Sequence, residues 1–233
     1  MGAGLFTLQE THFKRKGKLN TKFSDFEIFE AIRSKQKGGT LIGAHKSLDP
    51  ILIEEYSDEF ELLVVEVTIG GKEVRVISGY GPQENWKKEE RLPFFQSLEE
   101  EIVKAKSSDK LVYIQMDANS KLGPDMIKGD PHAQSDNGKI LSAIIKRNAL
   151  SVINNSEDKC RGKITRKRNT KTRKEESIID FVITCDEMGD MIEELVIDES
   201  KQYALSKYKK TKKGVKVVEA DHNSLITKVK AVW

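Results

Sequence analysis

The chain has 233 residues, of which 37% are hydrophobic and 33% charged, and its net charge is only +3. That length suits one α/β domain with a full core, and no apolar run approaches the roughly 20 residues that a membrane-spanning helix needs. The N-terminus lacks the basic start of a secretory signal, and two widely spaced cysteines, Cys160 and Cys185, make neither a disulfide framework nor a zinc motif, so a reducing compartment, nuclear or cytoplasmic, is expected.

In chain order, residues 5–8 form a short apolar run that predicts a buried strand, ending in the polar cluster Gln9-Glu10-Thr11-His12. A basic loop over 13–22 leads to a weak strand over 26–32, and Gly38-Gly39 introduces another over 40–42. The clearest signal is a pair of β-branched runs, 62–69 and 73–77, around Gly70-Gly71, an antiparallel hairpin. It runs into Ser78-Gly79-Tyr80-Gly81-Pro82. Leu92, Phe95, Leu98, Ile102 and Ala105 fall at helical spacing over 87–106, where Pro93 restricts the start. A strand over 111–116 ends at Asp117-Ala118-Asn119, and a second helix covers 136–148 with Ile140, Leu141, Ile144 and Ile145 on one side. Further strands are predicted at 152–153, 178–183 and 225–229. The order is not a regular βαβ alternation. It predicts a two-sheet, four-layer α/β sandwich of mixed, largely antiparallel strands, forming a single domain over 1–233.

Charge is uneven along the chain. Residues 159–174 hold nine basic side chains and no acidic one, and residues 207–216 hold six lysines. Such clusters can neutralise the phosphates of a polyanion; as isolated features they are equally read as solvated loops.

Several predicted strands end in acidic or amide residues: Glu10, Asp117 with Asn119, Asp180, and Asp221 beside His222. Strand ends gathered at one edge of a sandwich would place them in one cleft. Separated carboxylates with one histidine suit Mg²⁺ or Mn²⁺ better than zinc, and a bound metal with a carboxylate or His–Asp base can activate water at phosphorus. Asp180 sits inside the apolar run Ile178-Ile179-Asp180-Phe181, where a buried carboxylate needs a partner.

The ordered blocks Leu8-Gln9-Glu10-Thr11, Gly79-Tyr80-Gly81-Pro82, Met116-Asp117-Ala118-Asn119-Ser120, Ser177-Ile178-Ile179-Asp180-Phe181 and Ala220-Asp221-His222 resemble those of the endonuclease/exonuclease/phosphatase superfamily, with its deoxyribonuclease-like fold. Gly162-Lys163-Ile164-Thr165-Arg166 resembles a segment of the endonuclease domains of non-LTR retrotransposons. The resemblance implies a metal-dependent endonuclease that nicks DNA and leaves a 3′ hydroxyl. Glu10 and Asp221 would hold Mg²⁺ (or Mn²⁺), and Tyr80 would contact the scissile phosphate. Asp117 would activate water or stabilise the leaving oxygen, Asn119 would hold the phosphate, Asp180 would orient His222, and His222 would face the phosphate or nucleophile. Lys163, Thr165, Arg166, Lys167 and Arg168 of the first basic cluster, with Lys209 and Lys210 of the second, would grip flanking phosphates. The implied partner is DNA, without a membrane, in a monomer that in its complete form belongs to a reverse-transcriptase polyprotein.

The family pattern also has a strand ending in asparagine ahead of the Gln-Glu-Thr block. Only eight residues precede Gln9, so the expectation is a chain missing its first strand and truncated at the N-terminus. That departure keeps two other readings open. One is a catalytically inactive nucleic-acid-binding fragment, and the other a phosphatase or phosphodiesterase acting on inositol or lipid phosphates.

Overall fold

A computed structural model describes residues 4–13, 15–17, 23–32, 38–57, 60–169, 174–202, 207–211, 214–218 and 221–230. The first strands are β1 (Leu5–Gln9), β2 (Phe26–Ala31), β3 (Thr40–His45), β4 (Ile51–Tyr56), β5 (Glu61–Ile69) and β6 (Lys72–Tyr80), followed by helix α1 (Lys88–Ser107) and β7 (Leu111–Asp117). Helix α2 (Asp136–Arg147), β8 (Leu150–Val152), β9 (Cys160–Arg161), β10 (Arg166–Asn169), β11 (Lys174–Ser177) and β12 (Asp180–Cys185) come next. The last elements are α3 (Asp186–Met191), β13 (Ile192–Ile197), β14 (Lys207–Thr211), β15 (Gly214–Val218) and β16 (Leu225–Val229). The large sheet runs β4-β5-β6-β7-β12-β8. It is antiparallel except for β6 and β7, which are parallel and joined through α1, the crossover that a parallel pair requires.

Alternate residues of this sheet enter two cores. Leu62, Val64, Ile77, Ile114, Met116 and Phe181 pack against Phe94, Phe95, Leu98 and Ile102 of α1 and Leu141, Ile144 and Ile145 of α2. Leu63, Val65, Val76, Tyr113 and Val182 pack the other way, against Ala31, Ile42 and Ala44 on one side and Ile192 and Leu195 on the other. Burial on both faces explains why β5 and β7 read as continuous apolar runs and not as alternation. The second layer is in two pieces among the described residues, β1-β3-β2 and β16-β13-β9. Neither β1 nor β16 has a strand partner on its other edge there. Both long helices lie on the same face of the large sheet, and the smaller strand groups pack on its other face.

Three local expectations need correction. Helix α1 begins at Lys88, with Pro93 inside it. The proline forfeits one backbone donor, but Glu90 accepts from the Lys87 amide at 2.9 Å and holds the first turn together. Strand β4 was not foreseen, because its Ile51 and Leu52 are exposed at a sheet edge and a register shift follows Leu52. The two basic clusters contain hairpins, β10–β11 and β14–β15, where loops were expected. Lys171, Arg173 and Ala220 lie outside the described residues. Among those described, no helix is long and apolar enough to cross a membrane.

Candidate active site

The parallel register of β6 and β7 sets Tyr80, the last residue of one, beside Asp117, the last residue of the other. Asp180, the first residue of antiparallel β12, is the Cα partner of Asp117 from the far side. Three residues far apart in sequence thus form one row across adjacent strands. The chain then leaves β6 and β7 by two turns that touch. Gly81 donates its amide to the Asp117 carbonyl at 2.7 Å, so close to the backbone of Ala118 that a Cβ at position 81 would collide with it. Asn119, in the left-handed region at φ 45°, donates its side-chain amide to the Gly81 carbonyl at 2.9 Å and its backbone amide to Asp117 Oδ1 at 2.9 Å. A non-glycine residue in that conformation is strained, and these bonds hold it there.

His222 completes the centre. Its Nδ1 lies 3.0 and 3.1 Å from the two carboxylate oxygens of Asp180, and its Nε2 lies 3.8 Å from Asp117 Oδ2. Asp117 and Asp180 are buried, and the His222 side chain is 27% exposed, open on one side. Burial and the neighbouring Asp180 charge push the Asp117 carboxyl well above the usual carboxylate range, against the pull of His222. Burial opposes the charge of His222, but the hydrogen bond and charge of Asp180, with Asp117 and Asp221, outweigh it and lift the imidazole to about 9.

Glu10 and Asp221 flank this centre. Glu10 follows β1 at φ 51° and accepts a 2.7 Å hydrogen bond from the Tyr80 hydroxyl. Burial, then the Glu10 bond and charge, push the Tyr80 phenol above its ordinary range, against a smaller pull from the Asn119 amide. Asp221 accepts from Arg166 Nε at 3.2 Å. Burial works against its charge, but His222 and Arg166 prevail and hold its carboxyl below the ordinary range. One ligand atom each from Asp117, Asp180 and His222 falls within 4.8 Å of the others. A carboxylate-rich set of this kind fits a hard divalent cation, and the crowding that raises Asp117 is the strain a cation would relieve. The tight cluster therefore comprises residues expected to be catalytic, while the two expected metal ligands lie one contact further out.

The basic residues divide. Thr165, expected to grip phosphate, is wholly buried. Its hydroxyl accepts the amides of Ile179 at 2.9 Å and Asp180 at 3.1 Å, and its carbonyl accepts the Asn223 amide at 2.6 Å. It is the pin between the segments carrying Asp180 and His222, and a buried hydroxyl engaged in this way cannot reach a ligand. Arg166 forms a bridge with His222 through the backbone as well as its ion pair with Asp221. Lys167 is held by Glu199 at 2.8 Å and Arg161 by Glu194 at 2.7 Å. The run that lacks acids in sequence is thus partly neutralised by acids the fold brings to it. Lys163 and Arg168 are exposed; the Lys163 amine lies over Gly129. Lys209 and Lys210 fall on β14, opposite Lys216 and Val215, with side chains outside the described residues. Sequence reasoning also missed Asn154, whose side chain bonds the Asp180 carbonyl at 3.0 Å and the Val182 amide at 2.8 Å. The polar pair Asn154-Asn155 directly after Val152-Ile153 was the available signal.

No family model matches the sequence, and no curated protein matches it. Solved structures do. The endonuclease domain of TRAS1, a telomere-specific non-LTR retrotransposon, matches over 90% of this chain and 82% of its own, at 17% identity and a TM-score of 0.62. A 3′-5′ exonuclease from Neisseria meningitidis matches over 97% and 89%, at 13% identity and 0.69. An endonuclease/exonuclease/phosphatase family protein from Bacteroides thetaiotaomicron matches over 95% and 82%, at 9% identity and 0.64. The chain shares the fold of these structures, a deoxyribonuclease-like one.

Proposed function

We propose that this protein is a Mg²⁺- or Mn²⁺-dependent phosphodiesterase that nicks DNA, of the kind that prepares a target for a retrotransposon. The observation that carries the reading is the Asp117–His222–Asp180 cluster at the open end of the large sheet. Its neighbours in fold, which include a retrotransposon endonuclease domain and an exonuclease, support a nucleic-acid substrate.

In this reading water attacks phosphorus, forming one P–O bond and breaking the bond to the 3′ oxygen, which leaves a 3′ hydroxyl and a 5′ phosphate. Asp117, at the end of β7 with one carboxylate oxygen held by the Asn119 amide, is placed to accept the water proton once a bound cation relieves its crowding. Asp180 fixes the ring of His222 through Nδ1, leaving Nε2 to face the phosphate as a charged donor. Asn119, braced on Gly81, holds a phosphate oxygen with its remaining amide hydrogen. Glu10 and Asp221 hold the cation, which when bound supplies Lewis-acid polarisation of the phosphoryl oxygen. Lys163 and Arg168, exposed and without an ion-pair partner among the described residues, contact flanking phosphates and set position without reading bases.

A supercoiled-plasmid nicking assay with Mg²⁺ tests the proposal. The wild-type chain is expected to produce nicked circles, and Asp117→Ala and His222→Ala each to slow nicking by about 10²–10⁴-fold. DNA binding without metal-dependent nicking by the wild type would mean a binding module instead.

A further inference from the structure

We infer that Tyr80 is a positioning residue for the Glu10 carboxylate and not a donor to the scissile phosphate. A phenol carries one O–H proton, and here it is donated to Glu10 Oε1 at 2.7 Å. While that bond stands, no second donor remains for a phosphate oxygen.

The two partners differ in how firmly they are held. Tyr80 ends β6 with Cα partners on both sides, Glu61 of β5 and Asp117 of β7, so its backbone is fixed by the interior of the large sheet. Glu10 lies just past β1, in the left-handed region at φ 51°, on a strand paired on one edge only among the described residues. Beyond it the chain is secured by Thr11 and His12, whose amides reach the Gly39 and Gly38 carbonyls at 3.2 and 2.9 Å. The Glu10 side chain itself is tied down through Tyr80. A carboxylate on a strained corner is thereby locked to the sheet that carries Asp117. Residues that orient a metal's ligands in this way set metal affinity, so the hydroxyl should act on the cation and not on DNA.

This deepens the reading of Glu10 as a ligand and rests on it, and the experiment separates the two. Mn²⁺ affinity of the full chain is measured by calorimetry for wild type, Tyr80→Phe, Glu10→Gln and the double variant, and DNA affinity without metal by fluorescence anisotropy. Tyr80→Phe is expected to weaken Mn²⁺ about tenfold or more and to leave DNA affinity within about twofold. The double variant is expected to bind Mn²⁺ no more weakly than Glu10→Gln, the non-additivity of two groups acting as one; a general loss of folding would instead make the double variant worse. If Glu10→Gln weakens Mn²⁺ but Tyr80→Phe does not, the positioning role is wrong while Glu10 remains a ligand. If neither changes Mn²⁺ affinity, the ligand reading of Glu10 falls, and this inference with it.

Discussion

His222 and Thr165 are the residues on which the centre turns, for opposite reasons. His222 carries a charge in the midst of three aspartates, and its pKa near 9 lies above the ordinary value of about 6.5. A raised histidine stabilises the fold fully below its unfolded pKa and loses that contribution as pH rises through the folded one. The metal-free protein should therefore become easier to unfold in urea between about pH 6.5 and 9. An NMR titration should find the His222 ring near 9, with Asp180→Asn moving it downward; a ring titrating at its ordinary value would contradict the geometry. Thr165 carries no charge and is wholly buried. Thr165→Val would leave the Ile179 and Asp180 amides without their acceptor, at a cost of about 1–3 kcal/mol for each buried unsatisfied group. Urea unfolding should show that loss, and nicking should slow with it as Asp180 moves; a variant of unchanged stability would mean the bonds are not made. Sequence alone could set Asp117 and Asp180 apart as chemistry-bearing, since each ends or interrupts an apolar run, and His222 through the resemblance of Ala220-Asp221-His222 to a family block. It could not show that Thr165 faces inward, because a Thr-Arg pair in a basic stretch looks solvent-facing until Ile179 and Asp180 are folded against it.

The β10–β11 hairpin shows how an element differs from its sequence. A string of basic residues without an acid reads as a uniform cationic arm, yet pairing sets Lys167 opposite Glu176 and Arg168 opposite Glu175, and Glu199 takes up the Lys167 amine. The charge left for a polyanion is at Lys163, Arg168 and Lys174, which have no ion-pair partner among the described residues. Arg168→Ala with Lys174→Ala should weaken DNA binding and lower the slope of log affinity against log salt by about one per side chain. Lys167→Ala should change the slope little. Equal effects from all three would mean that the pairing with Glu199 does not persist in solution. The β5–β6 hairpin was legible because β-branched residues flank a Gly-Gly turn, and α2 because its apolar residues keep helical spacing from Ile140 to Ile145. Strands β10, β11 and β14 were not, since their residues are polar and only cross-strand pairing makes them strands; in β15 the signal of Val215, Val217 and Val218 was passed over within a basic cluster.

At the scale of the molecule, one continuous sheet supplies Tyr80, Asp117 and Asp180, and both cores lock it in place. Tyr80, Asp117 and Asp180 share a row because β12 is inserted between β7 and β8, an arrangement no local pattern dictates. The order of the acidic strand ends implied convergence, but the register that achieves it lies in backbone pairing over long sequence separations. Asp117, Asp180 and His222 are thus brought into one cluster, flanked by Glu10 through Tyr80 and by Asp221 beside Arg166, and the central claim is that this centre binds the cation used for chemistry. Anomalous diffraction from crystals of the protein soaked in Mn²⁺ tests it directly. A single dominant peak liganded by Glu10 and bordering Asp117 and His222 is the predicted result. A peak elsewhere, or none at Mn²⁺ concentrations that support nicking, would contradict it.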